Sequence, residues 1–127
     1  MKSLSVSSVF PYVFLSFLFL VSFYPNADGR SISKGRMIYE ARCAACHGLN
    51  AKGSFPMAKD LKVDPLSLDL TRTRVVHRSD LDLQRSISNG HYKMPKHREI
   101  LTPQQIQSVV KYLRSLQTSL ALKKNDP

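Results

Sequence analysis

The sequence predicts a small all-α fold, because three stretches place apolar residues at helical spacing between residues that start and stop helices. These stretches are residues 33–48, 79–90 and 102–120. The segment between the first two is irregular, since glycine and proline interrupt any long periodicity. We expect an ordered loop there, with a short turn at residues 69–73.

The first predicted helix has Ser33 as its N-cap and stops at Gly48, a residue type that suits the left-handed position after a helix. It contains a C-x-x-C-H pattern formed by Cys43, Cys46 and His47. Residues three and four apart share a helix face, so the two thiols and the imidazole project together. The pattern is typical of one covalently attached haem c, whose vinyl groups form thioethers with the thiols while the imidazole binds the iron.

Two other uses of the cysteines are open to the sequence. A redox disulfide fits a C-x-x-C pair, but no βαβ pattern surrounds this one. A structural zinc site usually has four ligands in two short clusters, and His77, His91 and His97 lack that spacing. Haem attachment is the favoured interpretation, and the irregular loop then has a cofactor for its scattered leucines to cover.

The second and third predicted helices are defined by their end residues. Ser79 or Asp80 caps the second helix, which stops at Gly90. Thr102 caps the third and forms a capping box with Gln105. The third helix carries a continuous apolar stripe made of Ile106, Val109, Val110, Leu113, Leu116 and Leu120. Packing in the core explains this stripe better than binding to a partner or a membrane.

Met94 is the predicted sixth ligand of the iron, because a thioether can bind opposite an imidazole and raise the reduction potential. It directly follows the second helix, and Pro95 stiffens the backbone beside it. His91 and His97 are rival ligands, since two imidazoles also fill both axial positions. Met57 is a weaker thioether rival.

The N-terminus has the features of a signal peptide. Lys2 precedes an apolar run over residues 9–24, and a small-residue cleavage site ends at Gly29. We expect residues 1–29 to be removed and residues 30–127 to form one exported, periplasmic domain. The apolar run is short for a membrane span, and an uncleaved anchor facing the periplasm is the alternative.

The chain is strongly basic, with a net charge of +10. A basic exported domain can bind a membrane surface or an acidic protein, whereas export argues against nucleic acid. We favour an acidic redox partner, with membrane contact only through partner complexes or an uncleaved signal segment. The alternative is a solvated basic surface without a specific partner.

Four parts of the chain, in order, resemble the class I c-type cytochromes: the first helix with CAACHG, the loop GSFPMAKDLKVDPLSLDLT, the segment NGHYKMP and the helix LTPQQIQSVVKYLRSL. The resemblance covers nearly all of residues 33–118 and implies the small cytochrome c fold, with helices packed around one covalently attached haem. It implies thioether bonds at Cys43 and Cys46, with His47 as the proximal and Met94 as the distal ligand of the iron.

The resemblance also implies two contacts within the fold. Gly35 and Tyr39 would meet the last helix around Tyr112. The carbonyl of Pro56 would accept a hydrogen bond from the ring of His47, which would fix the orientation of the imidazole.

The function implied is a soluble carrier of single electrons between redox proteins, with no catalytic residue. Lys52, Lys93 and Lys96 would help to steer an acidic partner to an exposed haem edge. One alternative is a haem enzyme or ligand sensor with an open or labile sixth position. Another is a cytochrome subunit of a larger oxidase or dehydrogenase complex.

Overall fold

The computed structural model describes residues 27–124, and this part of the chain contains helices and no β-strand. The helices are α1 (Ala27–Arg42), α2 (Ala44–His47), α3 (Phe55–Leu61), α4 (Thr73–Val76), α5 (Asp80–Asn89) and α6 (Pro103–Lys124), with a 3-10 turn at Pro65–Ser67. The prediction of an all-α fold is confirmed. Among the described helices, none combines the length and the apolar character that a membrane span requires. The predicted signal segment lies almost wholly outside the described residues.

Helices α1 and α6 cross at Gly35, where their backbones come into direct contact. A Cβ atom on Gly35 would lie 1.9 Å from the carbonyl oxygen of Ser108 and 3.0 Å from Cβ of Tyr112. Glycine is therefore the residue that this approach requires. One turn further along α1, the rings of Tyr39 and Tyr112 meet edge to face with their centroids 5.5 Å apart. The expected crossing at Gly35, Tyr39 and Tyr112 is confirmed.

The hydrophobic core lies between α1, α5 and α6. Helix α5 contributes Leu83 and Ile87, which face α6 at the spacing of one helical turn. The core is formed by Tyr39, Ala51, Leu83, Ile87, Leu101, Ile106, Val109, Val110 and Leu113. Leu116 packs against this core, so the predicted stripe of α6 serves mainly to pack the domain.

Helix α1 is already helical at Ala27, and the predicted start at Ser33 is wrong. The Ser33 hydroxyl donates to the Gly29 carbonyl at 3.0 Å, as a serine inside a helix does. In the first turn of α1, Asp28 accepts a hydrogen bond from Lys111 of α6 at 2.7 Å. The extra turns are therefore supported by a distant element, which local capping signals cannot reveal. Cleavage after Gly29 stays a prediction.

The segment expected to be an irregular loop contains two helices, α3 and α4. Pro56, expected to interrupt regular structure, stands in the first turn of α3. A proline is tolerated there because the first N–H groups of a helix have no partner within the helix. The proline therefore helps to start α3 instead of preventing it.

Helix α6 holds this segment in place through two polar side chains. The buried Gln117 donates to the Leu70 carbonyl at 2.8 Å. Arg114 donates to the carbonyl of Val76 and to the carboxylate of Asp80, both at 2.8 Å, and to the carbonyl of Arg78. These bonds explain how a segment with little regular structure is ordered.

The predicted caps of α5 and α6 are confirmed. Ser79 caps α5, and its hydroxyl oxygen accepts a hydrogen bond from the Asp82 backbone N–H at 3.1 Å. At the start of α6, the Thr102 N–H donates to the Gln105 side chain at 2.8 Å, and the Gln105 N–H donates to the Thr102 hydroxyl at 3.2 Å. This reciprocal pair is a capping box. It fixes the chain direction just before the core helix.

Replacement of Gly35 by alanine should destabilise the fold, although alanine is normally worth about 1 kcal/mol more than glycine inside a helix. The added Cβ would overlap the Ser108 carbonyl, and overpacking of this kind costs about 1–3 kcal/mol. We expect a net loss in the free energy of unfolding, measured by denaturant titration with circular dichroism.

Lys34→Ala is the matched control for this variant, because Lys34 is an exposed residue of the same helix. It should change the free energy of unfolding by no more than about 0.5 kcal/mol. A Gly35→Ala protein as stable as the native one would contradict the close crossing.

Candidate haem-attachment site

The C-x-x-C-H residues lie where α1 ends and α2 begins. Cys43 forms a turn between the two helices, but the helical hydrogen bonds continue across it. The Cys43 N–H donates to the Tyr39 carbonyl at 2.8 Å, and the Cys43 carbonyl accepts from Cys46 at 3.2 Å and from His47 at 2.9 Å. The backbone therefore keeps the two thiols and the imidazole on one face.

Tyr39 ties the end of this motif to the helix crossing. Its hydroxyl donates to the carbonyl of Gly48 at 2.9 Å, and Gly48 ends α2 with a φ of 74°. Burial is the main cause that raises the pKa of Tyr39 well above its usual value, and the neighbouring Cys43 and Tyr112 raise it further. The phenol therefore stays protonated and keeps donating to the carbonyl.

Both thiols are partly buried and are not joined in a disulfide. Burial raises the pKa of Cys43 to about 11, and the nearby Cys46 adds to this effect. The Cys43 thiol is therefore protonated at neutral pH. Within residues 27–124, no group of three or more histidine, cysteine or acidic side chains is placed to hold a metal ion. The two thiols are thus not joined to each other, as thioether formation with a haem requires.

The ring of His47 is oriented by a backbone carbonyl. Its Nδ1 lies 2.8 Å from the carbonyl oxygen of Leu68. A carbonyl can only accept, so Nδ1 carries the proton and Nε2 keeps a lone pair for iron. Burial lowers the pKa of His47, the bond to Leu68 opposes this, and the charge of His97 lowers it further. The imidazole is therefore neutral at neutral pH, as a metal ligand must be.

The expected hydrogen bond between His47 and Pro56 is wrong. Pro56 stands in the first turn of α3, where carbonyls point along the helix towards the next turn. Leu68 takes this role because it follows the 3-10 turn, and its N–H donates to the Pro65 carbonyl at 3.1 Å. Every residue has a carbonyl, so no residue type marks this acceptor. The sequence contained no signal for it.

Met94 is partly buried and packs against the same core cluster that Cys43 contacts. Its backbone is held by a pair of bonds with His91: the Met94 N–H donates at 2.9 Å, and the His91 N–H donates back at 3.2 Å. A Cβ on Gly90 would lie 2.5 Å from the Met94 carbonyl oxygen, so glycine allows the turn to close. The Met94 segment is therefore fixed against the end of α5.

The rival ligands occupy different environments. His91 is exposed, whereas His97 is 6% exposed. Met57 is partly buried on α3. The two histidines thus differ in their burial within the described residues.

The donor set fits a covalently attached haem. Two separate thiols and one neutral imidazole with an available Nε2 lie on consecutive turns, and this set contains both cysteines of the chain. His47 would bind the iron, and Cys43 and Cys46 would hold the porphyrin through thioethers. The hydrogen bond from Nδ1 to the Leu68 carbonyl supplies the orientation that metal-binding histidines generally have.

Comparison with known proteins finds similarity to cytochromes c. The family model described as Cytochrome c matches residues 32–117. The chain is 30% identical over 92 residues to the Cbb3-type cytochrome c oxidase subunit CcoP of Azospirillum brasilense, across 72% of this chain and 30% of that protein. It is 37% identical over 76 residues to Lupanine 17-hydroxylase (cytochrome c) of a Pseudomonas species, across 48% of this chain and 11% of that protein.

The matches cover less than a third of the length of either relative. The likeness therefore concerns one domain of each relative and not the whole protein. The family model, in contrast, spans more than half of this chain and includes the complete C-x-x-C-H pattern. Such a domain carries a covalently bound haem c with iron, and the protein is an electron-carrying member of the cytochrome c family.

Proposed function

We propose that the protein is an exported monohaem cytochrome that carries single electrons between redox proteins, with His47 and Met94 as the axial ligands of its iron. The observation that supports this most strongly is the hydrogen bond from His47 to Leu68, which leaves Nε2 available beside two separate thiols. One haem per chain follows from the use of both cysteines in a single motif.

The bound haem supplies an iron that accepts and releases one electron. His47 is held in one orientation by the Leu68 carbonyl, which also makes the imidazole a stronger donor. Met94 would hold the iron together with His47, which would leave no site for a substrate. Because His47 is held by a hydrogen bond and Met94 packs against the core, these two side chains would rearrange little when the haem gains or loses an electron.

The basic surface supports a partner with an acidic docking face. Lys52 and Lys93 are exposed, and the Lys93 ammonium lies 5.8 Å from the centroid of the Tyr92 ring. Lys96 is also exposed but pairs with Glu99 at 2.7 Å, so part of its charge is offset locally. Lys93 and Tyr92 directly precede Met94, which makes this surface the best candidate for steering a partner.

A second candidate function is that of a subunit within a larger oxidase or dehydrogenase complex. The similarity to an oxidase subunit and to a hydroxylase supports it, since both names describe proteins of redox systems. The haem chemistry is the same as in a diffusing carrier. Co-purification with other chains from native membranes would favour the subunit, and recovery as a single chain from the periplasm would favour the carrier.

The ferric absorption spectrum tests the ligands. The haem-loaded protein should show the weak far-red band of a bond between sulfur and ferric iron, and Met94→Ala should lose it. Met57→Ala is the matched control and should keep the band, because Met57 lies on α3 and not in the segment after α5. A native protein without the band, or a Met94→Ala protein that keeps it, would exclude Met94 as the ligand.

Rapid binding of carbon monoxide by the native ferrous protein would favour the alternative of a haem enzyme or ligand sensor.

Electron transfer to an acidic partner should slow as salt rises, because exposed charges are screened beyond about 10 Å at 0.1 M ionic strength. Lys93→Glu should lower the second-order rate constant about tenfold or more at low salt. Lys123→Glu makes the same change in net charge at the exposed end of α6 and should have a clearly smaller effect. The measurement is stopped-flow mixing with the reduced partner.

A rate constant that does not depend on salt would contradict electrostatic docking. Equal effects of the two charge reversals would show that net charge acts without a local surface at Lys93.

A further inference from the structure

An open groove lies between α5 and the start of α6. It has a volume of about 250 Å³, and none of the C-x-x-C-H residues lines it. Its apolar lining is formed by Leu101, Pro103 and Ile106. Leu101 and Ile106 are nearly fully buried, whereas Pro103 is exposed and can be contacted from outside. Pockets for small organic ligands usually have about 300–1,000 Å³, so this groove suits one or two side chains of another protein better.

The polar lining of the groove consists of side chains that can donate hydrogen bonds. They are Gln84, Arg85, Ser88 and Asn89 of α5, and Arg98 of the segment that follows Met94. None of the described residues that line the groove is acidic. A groove with two guanidinium groups and no carboxylate attracts an anionic group.

The protein itself neutralises these two arginines only weakly. The Arg85 guanidinium lies 3.5 Å from the Asp82 carboxylate, whereas the other ion pairs among the described residues are 2.7–2.8 Å long. Asp82 also accepts a hydrogen bond from the Ser79 hydroxyl at 2.6 Å. No ion pair within residues 27–124 includes Arg98. Both guanidinium groups therefore keep N–H groups for a carboxylate, whose two oxygens match their planar fork.

Arg98 is held in place at the edge of the groove. Its backbone N–H donates to the Ser88 carbonyl at 3.2 Å, and its side chain donates to the neutral amide of Asn89 at 2.8 Å. The neighbouring Glu99 pairs with Lys96 at 2.7 Å, so its charge is offset there and not by Arg98. A positive group that is already ordered loses less entropy when it binds a ligand.

The groove adjoins the basic surface at Lys93. Asn89 lines the groove, and the next residue, Gly90, lies against the segment that follows Lys93. A Cβ on Gly90 would be 2.5 Å from the Met94 carbonyl oxygen and 2.9 Å from the Lys96 backbone nitrogen. One partner can therefore contact the surface at Lys93 and the groove together.

We propose that this groove anchors an acidic segment of the redox partner, with a carboxylate bound by Arg85 and Arg98 and an adjacent apolar side chain on Pro103. The inference rests on the proposed function, because it names the part of the protein that holds the partner of that carrier. Exposed charges such as Lys93 act mainly on the rate of encounter, whereas hydrogen-bonded charges within a contact act mainly on the rate of dissociation. The lysine surface would thus attract the partner, and the arginine groove would hold it.

The probe for this groove is a short capped peptide of alternating glutamate and leucine, added to the haem-loaded, isotope-labelled ferrous protein at low salt. Amide chemical shifts should change at residues 84–89 and 98–106 as the peptide is added, because these residues form the groove. The same peptide with glutamine in place of glutamate should leave these shifts unchanged, since it has no carboxylate.

Arg85→Gln/Arg98→Gln should raise the Kd of the peptide about tenfold or more, because it removes hydrogen bonds to a charged group. Lys34→Gln/Arg74→Gln is the matched control, since it removes the same charge from exposed positions of α1 and α4 outside the groove. The control should raise the Kd clearly less. If the loss of the bond between Arg98 and Asn89 disturbs the fold, Arg85→Gln alone gives the same comparison.

Shift changes confined to residues 91–96 would overturn the groove and leave docking at Lys93 intact. Equal effects of the two double variants would overturn it as well. Displacement of the peptide by an equal concentration of inorganic phosphate would show a site for small anions instead of a partner segment. The ferric far-red band does not enter this titration, so the axial ligands of the proposed function and the groove can fail separately.

Discussion

The close crossing of α1 and α6 at Gly35 is the contact on which the rest of the structure depends. With no side chain at Gly35, the Ser108 carbonyl can approach the backbone of α1, and Tyr39 then reaches Tyr112 one turn later. The same Tyr39 hydroxyl binds the carbonyl of Gly48, which ends the haem motif. A single buried phenol thus links the packing of α1 and α6 to the position of the C-x-x-C-H side chains.

Features set by local chemistry were predictable from the sequence. The Thr102 and Gln105 capping box was predictable because a cap and its partner are three residues apart, and the same holds for the spacing of the C-x-x-C-H pattern. Features that depend on the path of the whole chain were not. The early turns of α1 are supported by the ion pair between Asp28 and Lys111, and the partner of His47 is the carbonyl of Leu68. Neither contact is marked by a residue type near the group it supports.

The segment that contains Met94 was even harder to predict from the sequence. Met94, His91 and His97 all have side chains that can bind iron, and the sequence favours Met94 without excluding the two histidines. In the structure, the three residues differ in the backbone hydrogen bonds that hold them. The turn between His91 and Met94 leaves the first exposed and packs the second against the core, while the bond to Ile87 carries His97 inward. The burial of these three side chains is therefore set by how the segment attaches to α5.

The charge distribution connects docking with the segment after α5. Five acidic side chains among the described residues each pair with a basic side chain: Asp28, Glu40, Asp80, Asp82 and Glu99. The excess of basic charge is therefore left to face the solvent. Exposed ion pairs of this kind contribute little to stability, but they determine which parts of the surface remain positively charged. Near the distal segment, Glu99 offsets Lys96, whereas Lys93 lies beside the exposed ring of Tyr92. A partner that binds at Lys93 would therefore contact the turn that leads to Met94, so the proposed docking surface and the segment after α5 belong to the same part of the molecule.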